Sequence, residues 1–485
     1  MQSTLNFFIK DLRFWIIAFA LLRLVNITLP PVEVGHNWRQ TTVLMVARNF
    51  HEGEFRIFHP QVDMAGQLSG ITGMEFPALN ALHAMCASIF GFQDWYGRLI
   101  VLLVSSIAIW SFFALLRRVI PDIWARDSAL LLVTSLWFVY SRKIMPDVFS
   151  CALVIIGTHL LVFSWESSKR HWRLWGPLGA SALITLGVLS KLPAGIILIG
   201  MLPFLPKISQ RISRHSNQQA HLISLFWLAP GLGLIGYWYF QWVPYLVEQF
   251  GFWHFFMGKP LGSGSKELLE HWDVASMHLV DHAMKFTGFT AFLVGSFFLA
   301  KRKHWTALTS IGCALIALLV VAFRAGDTFV RHDYYVLPFI PFMAMGAAFA
   351  LQQIPHNGWK TAALTLIMVE GITNQFHDFF PSQNQRIILE LEEAVANEVG
   401  PEGLIVINSD QNPAPLYFAH RKGWVMNGEE IESSADSLAR LGATHVVWLK
   451  GAWKAGKIPD RLMLETTENP WVIEPISDIQ NRSLE

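Results

Sequence analysis

From Phe14 to about Glu370 the chain alternates long apolar runs with short basic loops, and beyond that it turns polar. Inside a bilayer every backbone N–H and C=O must be satisfied within the segment, so runs of this kind can only be helices. Crossing a hydrocarbon core of ~30 Å takes ~20 apolar helical residues. The runs at 13–30, 97–116, 127–144, 147–165, 175–190, 192–206, 220–241, 285–300, 305–323, 335–353 and 360–376 therefore predict about eleven spans. Charged residues make up 15% of the chain, against ~25% in a soluble globular protein. The expected fold is mainly α, a polytopic membrane helical bundle with a structured first outer loop and a small C-terminal α/β soluble domain. The expected boundaries are 1–380 for the transmembrane part and 381–485 for the soluble domain.

Lys and Arg in short loops set orientation. With the N-terminus cytoplasmic, the inner loops hold Lys10 and Arg13, then Arg117, Arg118 and Arg126, then Lys169, Arg170 and Arg173. They also hold Lys207, Arg211 and Arg214, then Lys301, Arg302 and Lys303, and Lys360. An odd number of spans places the C-terminal domain outside. The first run is followed by no small-residue cleavage site and reads as a retained helix. The expected location is the cell inner (plasma) membrane, multi-pass, with an extracytoplasmic C-terminal domain. The net charge of +1 gives no reason to expect a nucleic-acid partner.

The outer segments carry the unusual chemistry. The first, at about 31–96, holds Glu33, His36, Arg39, Arg48, Glu54, Asp63 and Glu75. Within it Val43, Val46, Ala47 and Phe50 form one helical stripe, which predicts a short helix over 39–51 lying along the membrane surface. A second helix is predicted from Glu75-Phe-Pro77 to near Gly91. The turns at Arg142 to Asp147, at Lys191 and at Asp327 to Tyr335 also fall outside. Ionisable residues at membrane depth are functional candidates by default, and here they gather on one side. After Gln385 the pattern predicts helix 385–399, a strand at Leu404 to Asn408, a strand at Trp424 to Met426, a helix at Ser434 to Leu441 and a strand at His445 to Trp448. The three cysteines lie in apolar runs, so no disulfide framework is expected. Gly231-Leu-Gly-Leu-Ile-Gly236 matches a dinucleotide-binding pattern, but it sits inside a span with no preceding strand and reads as helix packing.

Several short pieces together resemble the GT-C glycosyltransferase superfamily, in particular its bacterial branch with lipid A aminoarabinose transferase, Rgt-type galacturonosyltransferases and protein O-mannosyltransferases. They are Gly35-His-Asn-Trp-Arg-Gln40 with Ala47-Arg-Asn-Phe50, then Glu75-Phe-Pro77, Phe90-Gly91 to Arg98 and Met145-Pro-Asp147. Leu189-Ser-Lys191 with Pro193, and Arg331-His-Asp-Tyr-Tyr335 with Pro338 and Pro341, complete the set. The resemblance implies an enzyme that moves a sugar from a polyprenyl-phosphate carrier to an envelope acceptor, whether lipid A, another lipid or glycan, or protein. It implies that the 31–96 loop is catalytic and that a carboxylate in it is the base. This chain departs from the acidic pair those relatives carry after the first span, having His36-Asn37 there, so the identity of the base stays open. Some relatives use a divalent metal ion; no ligand set is visible in the sequence.

Breaking a C1–O bond with phosphate as leaving group calls for positive charge on that phosphate and a base for the acceptor hydroxyl. The candidate catalytic residues are Asp63, His36 and Glu75. The candidate substrate-binding residues are Arg39, Asp147, Arg142, Lys143, Lys191, Arg331, His332 and Tyr335. Capping by Asp147 and Glu75, headgroup snorkelling by Arg142 and Lys143, and an aromatic belt at Tyr334 and Tyr335 are the competing structural readings. The alternative function is a transporter or flippase of lipid-linked sugars, which would favour charges near the bilayer midplane and repeated halves. Arg23 is the one charge well inside a predicted span, and no repeat is visible.

Overall fold

The computed structural model describes residues 11–213, 218–252, 258–464 and 470–483. Lys10 and Arg214, used above for orientation, lie outside them. The chain is mainly helical and divides into two compact units. One comprises Met1–Ile27, Arg98–Gln241 and Phe256–His377; the other comprises Thr28–Gly97, Trp242–Phe255 and Asp378–Glu485.

Among the described residues five helices are long and apolar enough to cross a membrane: Tyr96–Leu116, Pro146–Glu166, Leu192–Gln210, Leu222–Phe250 and Trp305–Ala325. A sixth span results if Trp272–His282 and Lys285–Lys301, bent by 86° at their junction, count as one. Other expected spans fold as shorter pieces, such as Leu12–Arg23, Ile340–Leu351 and the interrupted Asp122–Thr134 and Trp137–Tyr140. Interruption at membrane depth requires neighbours to take up the freed backbone groups. At Ser135 they do. Leu136 N–H donates to Ala283 O at 3.0 Å, Gln375 Nε2 donates to Ser135 O at 3.1 Å, and Gln375 Oε1 accepts from Val139 N–H at 3.3 Å.

Pro146–Glu166 and Arg170–Ser190 form an antiparallel hairpin in the first unit. Glycines allow its close packing. A Cβ at Gly157 would stand 2.8 Å from Ile184, one at Gly176 would stand 2.6 Å from Ser164, and one at Gly187 would stand 2.8 Å from both Ser150 O and Val154. Small residues at such contacts replace the hydrophobic drive that lipid does not supply. Because the helices are antiparallel, the start of the first and the end of the second meet at one end of the pair.

In the second unit, helix Asn37–Glu52 is buried on almost every face, including Arg39, Gln40, Thr41, Thr42 and Arg48. It is an inner helix of its unit, covered by protein well beyond its apolar stripe. Helix Ala78–Phe90 packs against it. The C-terminal part is a four-stranded sheet of β1 (Leu404–Ile407), β2 (Gly423–Val425), β3 (Ala443–Leu449) and β4 (Trp471–Pro475), in the order β2-β1-β3-β4. β1 is parallel to both β2 and β3, and β4 is antiparallel to β3. Ile431, Ala435 and Leu438 from helix Gly428–Arg440 and Ile476 and Ile479 from helix Ile476–Ser483 join Val446 and Trp448 in its core. The loop after Asn37–Glu52 covers the free edge of β2: Gly423 N–H donates to Asp63 O at 3.0 Å and Gly66 N–H donates to Gly423 O at 2.8 Å. Gly66 lies at φ +60° directly against the Trp424 ring, where a side chain would not fit.

Candidate active site

Met145 is extended and Pro146 occupies the first helical position, where its fixed φ and missing N–H cost nothing. Asp147 follows in the first turn, where a carboxylate is favoured by the exposed N–H groups. At the end of the next helix Lys191 is extended (φ −163°, ψ 110°) and leads into a 3₁₀ turn with Pro193. The hairpin thus brings Lys191 Nζ to 3.6 Å from Asp147 Oδ1. The third wall is the segment after helix Asp327–Arg331, where the 3₁₀ turn Asp333–Val336 presents two tyrosines. Lys191 Nζ lies 5.3 Å from the centre of the Tyr334 ring and 5.7 Å from that of Tyr335. Cation–π contact of this kind holds an ammonium without neutralising it. His332 stacks on Tyr334 at 5.1 Å, and Tyr335 stacks on Tyr334 at 5.2 Å.

Asp147, Ser150, Cys151, Lys191, Pro193, Tyr334, Tyr335 and Pro338 line a cavity of about 10 Å³. That is room for about one water molecule, so a phosphate enters only if Lys191 or a tyrosine swings. Asp147 is buried, and its Oδ2 makes no hydrogen bond. Asp147 and Lys191 therefore balance each other in charge while the carboxylate keeps unused acceptor capacity. A wider cavity of about 540 Å³ is lined by Asp11, Arg13, Trp110, Asp122 and Arg126. Arg13 pairs there with Asp11, and Arg126 pairs with Asp127, so its cations are already compensated.

The remaining candidates separate. Arg142 and Lys143 are buried in the first unit; Arg142 Nη2 donates to Val25 O at 2.7 Å, and Lys143 Nζ lies 5.7 Å from the Tyr140 ring centre. Arg331 is exposed and paired with Asp327 at 2.6 Å on the same helix, away from the tyrosine cavity lining. In the second unit Arg39 pairs with Glu75, both buried. Gln40 Nε2 donates to Glu33 Oε1 at 2.8 Å. Asp63 accepts at both oxygens, from Arg48 Nη2 at 2.9 Å and Asn49 Nδ2 at 2.9 Å. His36 precedes helix Asn37–Glu52 with a left-handed backbone, φ +60°, a conformation that L-residues adopt at a cost.

Arg48 also donates to Tyr417 O at 3.0 Å and lies 4.5 Å from that ring's centre, and Tyr417 Oη donates to Asp94. Burial pushes the Arg48 guanidinium down, but Asp63 and Tyr417 outweigh it and the net shift is upward. Burial and then Asp94 push the Tyr417 phenol well above its ordinary value. Sequence reading overlooked this Asp63–Arg48–Tyr417–Asp94 chain, and also Tyr140, Asp333, His278 and His282 near the tyrosines. Among the described residues no group of three or more His, Cys, Asp or Glu side chains could hold a metal ion.

Residues 75–234 match the family model for dolichyl-phosphate-mannose-protein mannosyltransferase. No curated relative matches the sequence. The fold is similar to that of ArnT from Cupriavidus metallidurans bound to undecaprenyl phosphate, with TM-score 0.56, 12% identity, and coverage of 95% of this chain and 98% of that one. ArnT in the apo state gives TM-score 0.57 at 12% identity, covering 96% and 98%. The archaeal oligosaccharyltransferase AglB from Archaeoglobus fulgidus, in complex with an inhibitory peptide and a dolichol-phosphate, gives TM-score 0.50 at 13% identity, covering 90% of this chain and 69% of that one. The chain thus shares its fold with ArnT and AglB, and residues 75–234 match the dolichyl-phosphate-mannose-protein mannosyltransferase model.

Proposed function

We propose that this chain is an integral membrane glycosyltransferase that moves a sugar from a polyprenyl-phosphate carrier to a cell-envelope acceptor on the extracytoplasmic side. The observation that carries the reading is Lys191, a lysine at the end of a membrane helix hairpin, seated between Asp147 and two tyrosine rings in an ArnT-like fold. The leaving group is a phosphate, and its departure is eased by a nearby cation held in a low-dielectric setting. Lys191 supplies that cation as a compact point charge. Tyr334 and Tyr335 hold its ammonium against their ring faces and carry hydroxyls that can donate. Asp147 pairs with Lys191 and gives way when the phosphate arrives. The solved ArnT complex with undecaprenyl phosphate supports a lipid-phosphate donor, and the comparisons lend no support to a transporter. In this reading the 1–380 part carries the chemistry, and the 381–485 part is an outer domain that bears on the acceptor side.

The test is release of free polyprenyl phosphate by protein in proteoliposomes given polyprenyl phosphates of mannose, galacturonic acid and aminoarabinose, with an envelope lipid extract as acceptor source. Lys191→Ala should cut release at least ~100-fold, the scale of one lost electrostatic contact to developing charge. Lys191→Arg should keep a measurable fraction, since the cation survives while the geometry changes. Release by Lys191→Ala at the wild-type rate would exclude the lysine as the phosphate contact.

A further inference from the structure

We propose that His282, oriented by Asp333, is the general base that takes the proton of the acceptor hydroxyl; this rests on the glycosyltransfer reading above. The segment Trp272–His282 ends in a π-helical turn, His278–His282, and the chain then bends by 86° into Lys285–Lys301. Lys285 at the bend has φ +58°. π-Helical turns inside helices recur at functional sites because they displace one side chain from the regular ladder. Here the turn places His278 and His282 together, with their Nδ1 atoms 3.3 Å apart.

The neighbours fix both tautomers. His278 Nε2 lies 3.0 Å from the carbonyl oxygens of Phe329 and Val330, which only accept, so Nε2 carries the hydrogen. In the neutral ring His278 Nδ1 is then an acceptor. His282 Nδ1 faces that lone pair and also Asp333 Oδ2 at 3.3 Å, so it must donate. Asp333 Oδ1 in turn accepts from the buried Tyr140 hydroxyl at 2.5 Å, which anchors the carboxylate. The remaining nitrogen, His282 Nε2, has Asp281 Oδ2 at 4.0 Å, beyond hydrogen-bond reach, and the side chain is 39% exposed. A carboxylate that holds Nδ1–H of an imidazole and leaves Nε2 as the outward lone pair is the arrangement that makes a histidine a base.

Charged and titratable groups face the ring from several elements. Asp281 Oδ2 lies 4.0 Å from Nε2, partly compensated by Lys285 Nζ at 3.3 Å from the same carboxylate oxygen. Asp333 faces Nδ1, and His278 and Tyr140 complete the ring of titratable neighbours. The dyad is joined to the phosphate-gripping end through the chain itself, because Asp333 is followed directly by Tyr334, whose ring carries Lys191. The loop carboxylates are otherwise engaged: Asp63 accepts at both oxygens and Glu75 holds Arg39. In the step proposed, the acceptor O–H proton passes to His282 Nε2 as the oxygen bonds to the sugar C1. The C1–O bond to phosphate breaks, and its electron pair leaves with polyprenyl phosphate beside Lys191. The exposed imidazolium then returns its proton to water.

The experiment compares release of polyprenyl phosphate across pH 5–9 by wild type, His282→Ala, His282→Gln and Asp333→Asn, with binding of unmodified polyprenyl phosphate measured alongside as the check on folding. Wild type should lose rate below the imidazole pKa. Both His282 variants should bind the phosphate, lose at least ~100-fold in rate, the usual contribution of a general base, and lose the acid limb. Added imidazole should restore part of the His282→Ala rate, which a merely structural role would not allow. Asp333→Asn should bind the phosphate and lose rate, because the imidazole loses the carboxylate that orients it. An unchanged acid limb in His282→Gln, or His282→Ala turning over within threefold of wild type, would overturn the assignment. Inactivity of wild type on every donor would instead overturn the parent reading and this one with it.

Discussion

At the level of single residues, the structure gives the acidic candidates of the outer loop different standing from the one their type suggested. Asp63 sits in an irregular loop, where sequence offers it no structural partner, yet Arg48 and Asn49 occupy both of its oxygens. Removing one member of a buried pair strands the other charge and costs about 3 kcal/mol or more. Asp63→Asn should therefore lower the thermal unfolding midpoint of the purified protein, and Tyr417→Phe should lower it by a smaller step because Arg48 keeps its carbonyl partner. A midpoint unchanged in Asp63→Asn would show that Arg48 finds another anion. His83 behaves differently. It is buried against Phe92 and Tyr96, Gly97 N–H donates to its Nδ1 at 3.1 Å, and burial pushes it from 6.5 down to about 4. The folded state therefore binds this proton less readily than the unfolded chain. Stability is full above pH ~6.5 and falls as pH drops toward 4, by about 2 kcal/mol at pH 5. Melting curves between pH 8 and 5 should show that slope in wild type and lose most of it in His83→Gln.

Among the elements, those with a strong local period were legible and those broken by tertiary partners were not. The helices Asn37–Glu52 and Ala78–Phe90 and strands β1, β2 and β3 follow the sequence pattern closely. β4 went unseen because Glu474 and Pro475 dilute its apolar signal; Glu474 is instead buried by Arg461, Arg482 and the Trp448 indole. The break at Ser135 was equally hidden, since Gln375 and Ala283 take up its backbone groups from distant sequence. For the same reason Asp147 and Lys191 could each be singled out as candidates beside Pro146 and Pro193, while their pairing, the tyrosine rings around Lys191 and the Asp333 network could not be connected. The hairpin that makes the pair gives a prediction of its own. Gly187→Leu would force a branched side chain into Ser150 O and Val154, 2.8 Å from the glycine's Cβ position, and spread the two helix ends. Release of polyprenyl phosphate should fall at least tenfold, with far less effect from Gly233→Leu, whose Cβ would meet nothing within 4 Å. Equal activity in the two would mean that the approach of Asp147 to Lys191 does not limit turnover.

For the whole molecule, the proposed reaction makes one matter decisive: which end of the bundle meets the cytoplasm. Helix Pro146–Glu166 has 21 residues, and at ~1.5 Å per residue it is about as long as the hydrocarbon core is thick. Asp147 and Glu166 therefore mark opposite faces. Glu166 pairs with Arg118 at 2.8 Å, and Lys169, Arg170 and Arg173 follow within one turn or two. These basic residues thus belong to the end remote from Lys191, and in the proposed orientation, which follows the retention of positive charge, that end faces the cytoplasm. With Cys86, Cys151 and Cys313 replaced by serine or alanine, a single cysteine at Lys169 should react with a membrane-impermeant maleimide only after the membrane is opened. A single cysteine at Arg331, exposed near the lysine-bearing end, should react in intact cells. Labelling at 331 that requires an opened membrane would invert the orientation and with it the extracytoplasmic assignment of the chemistry, while leaving the geometry around Lys191 untouched.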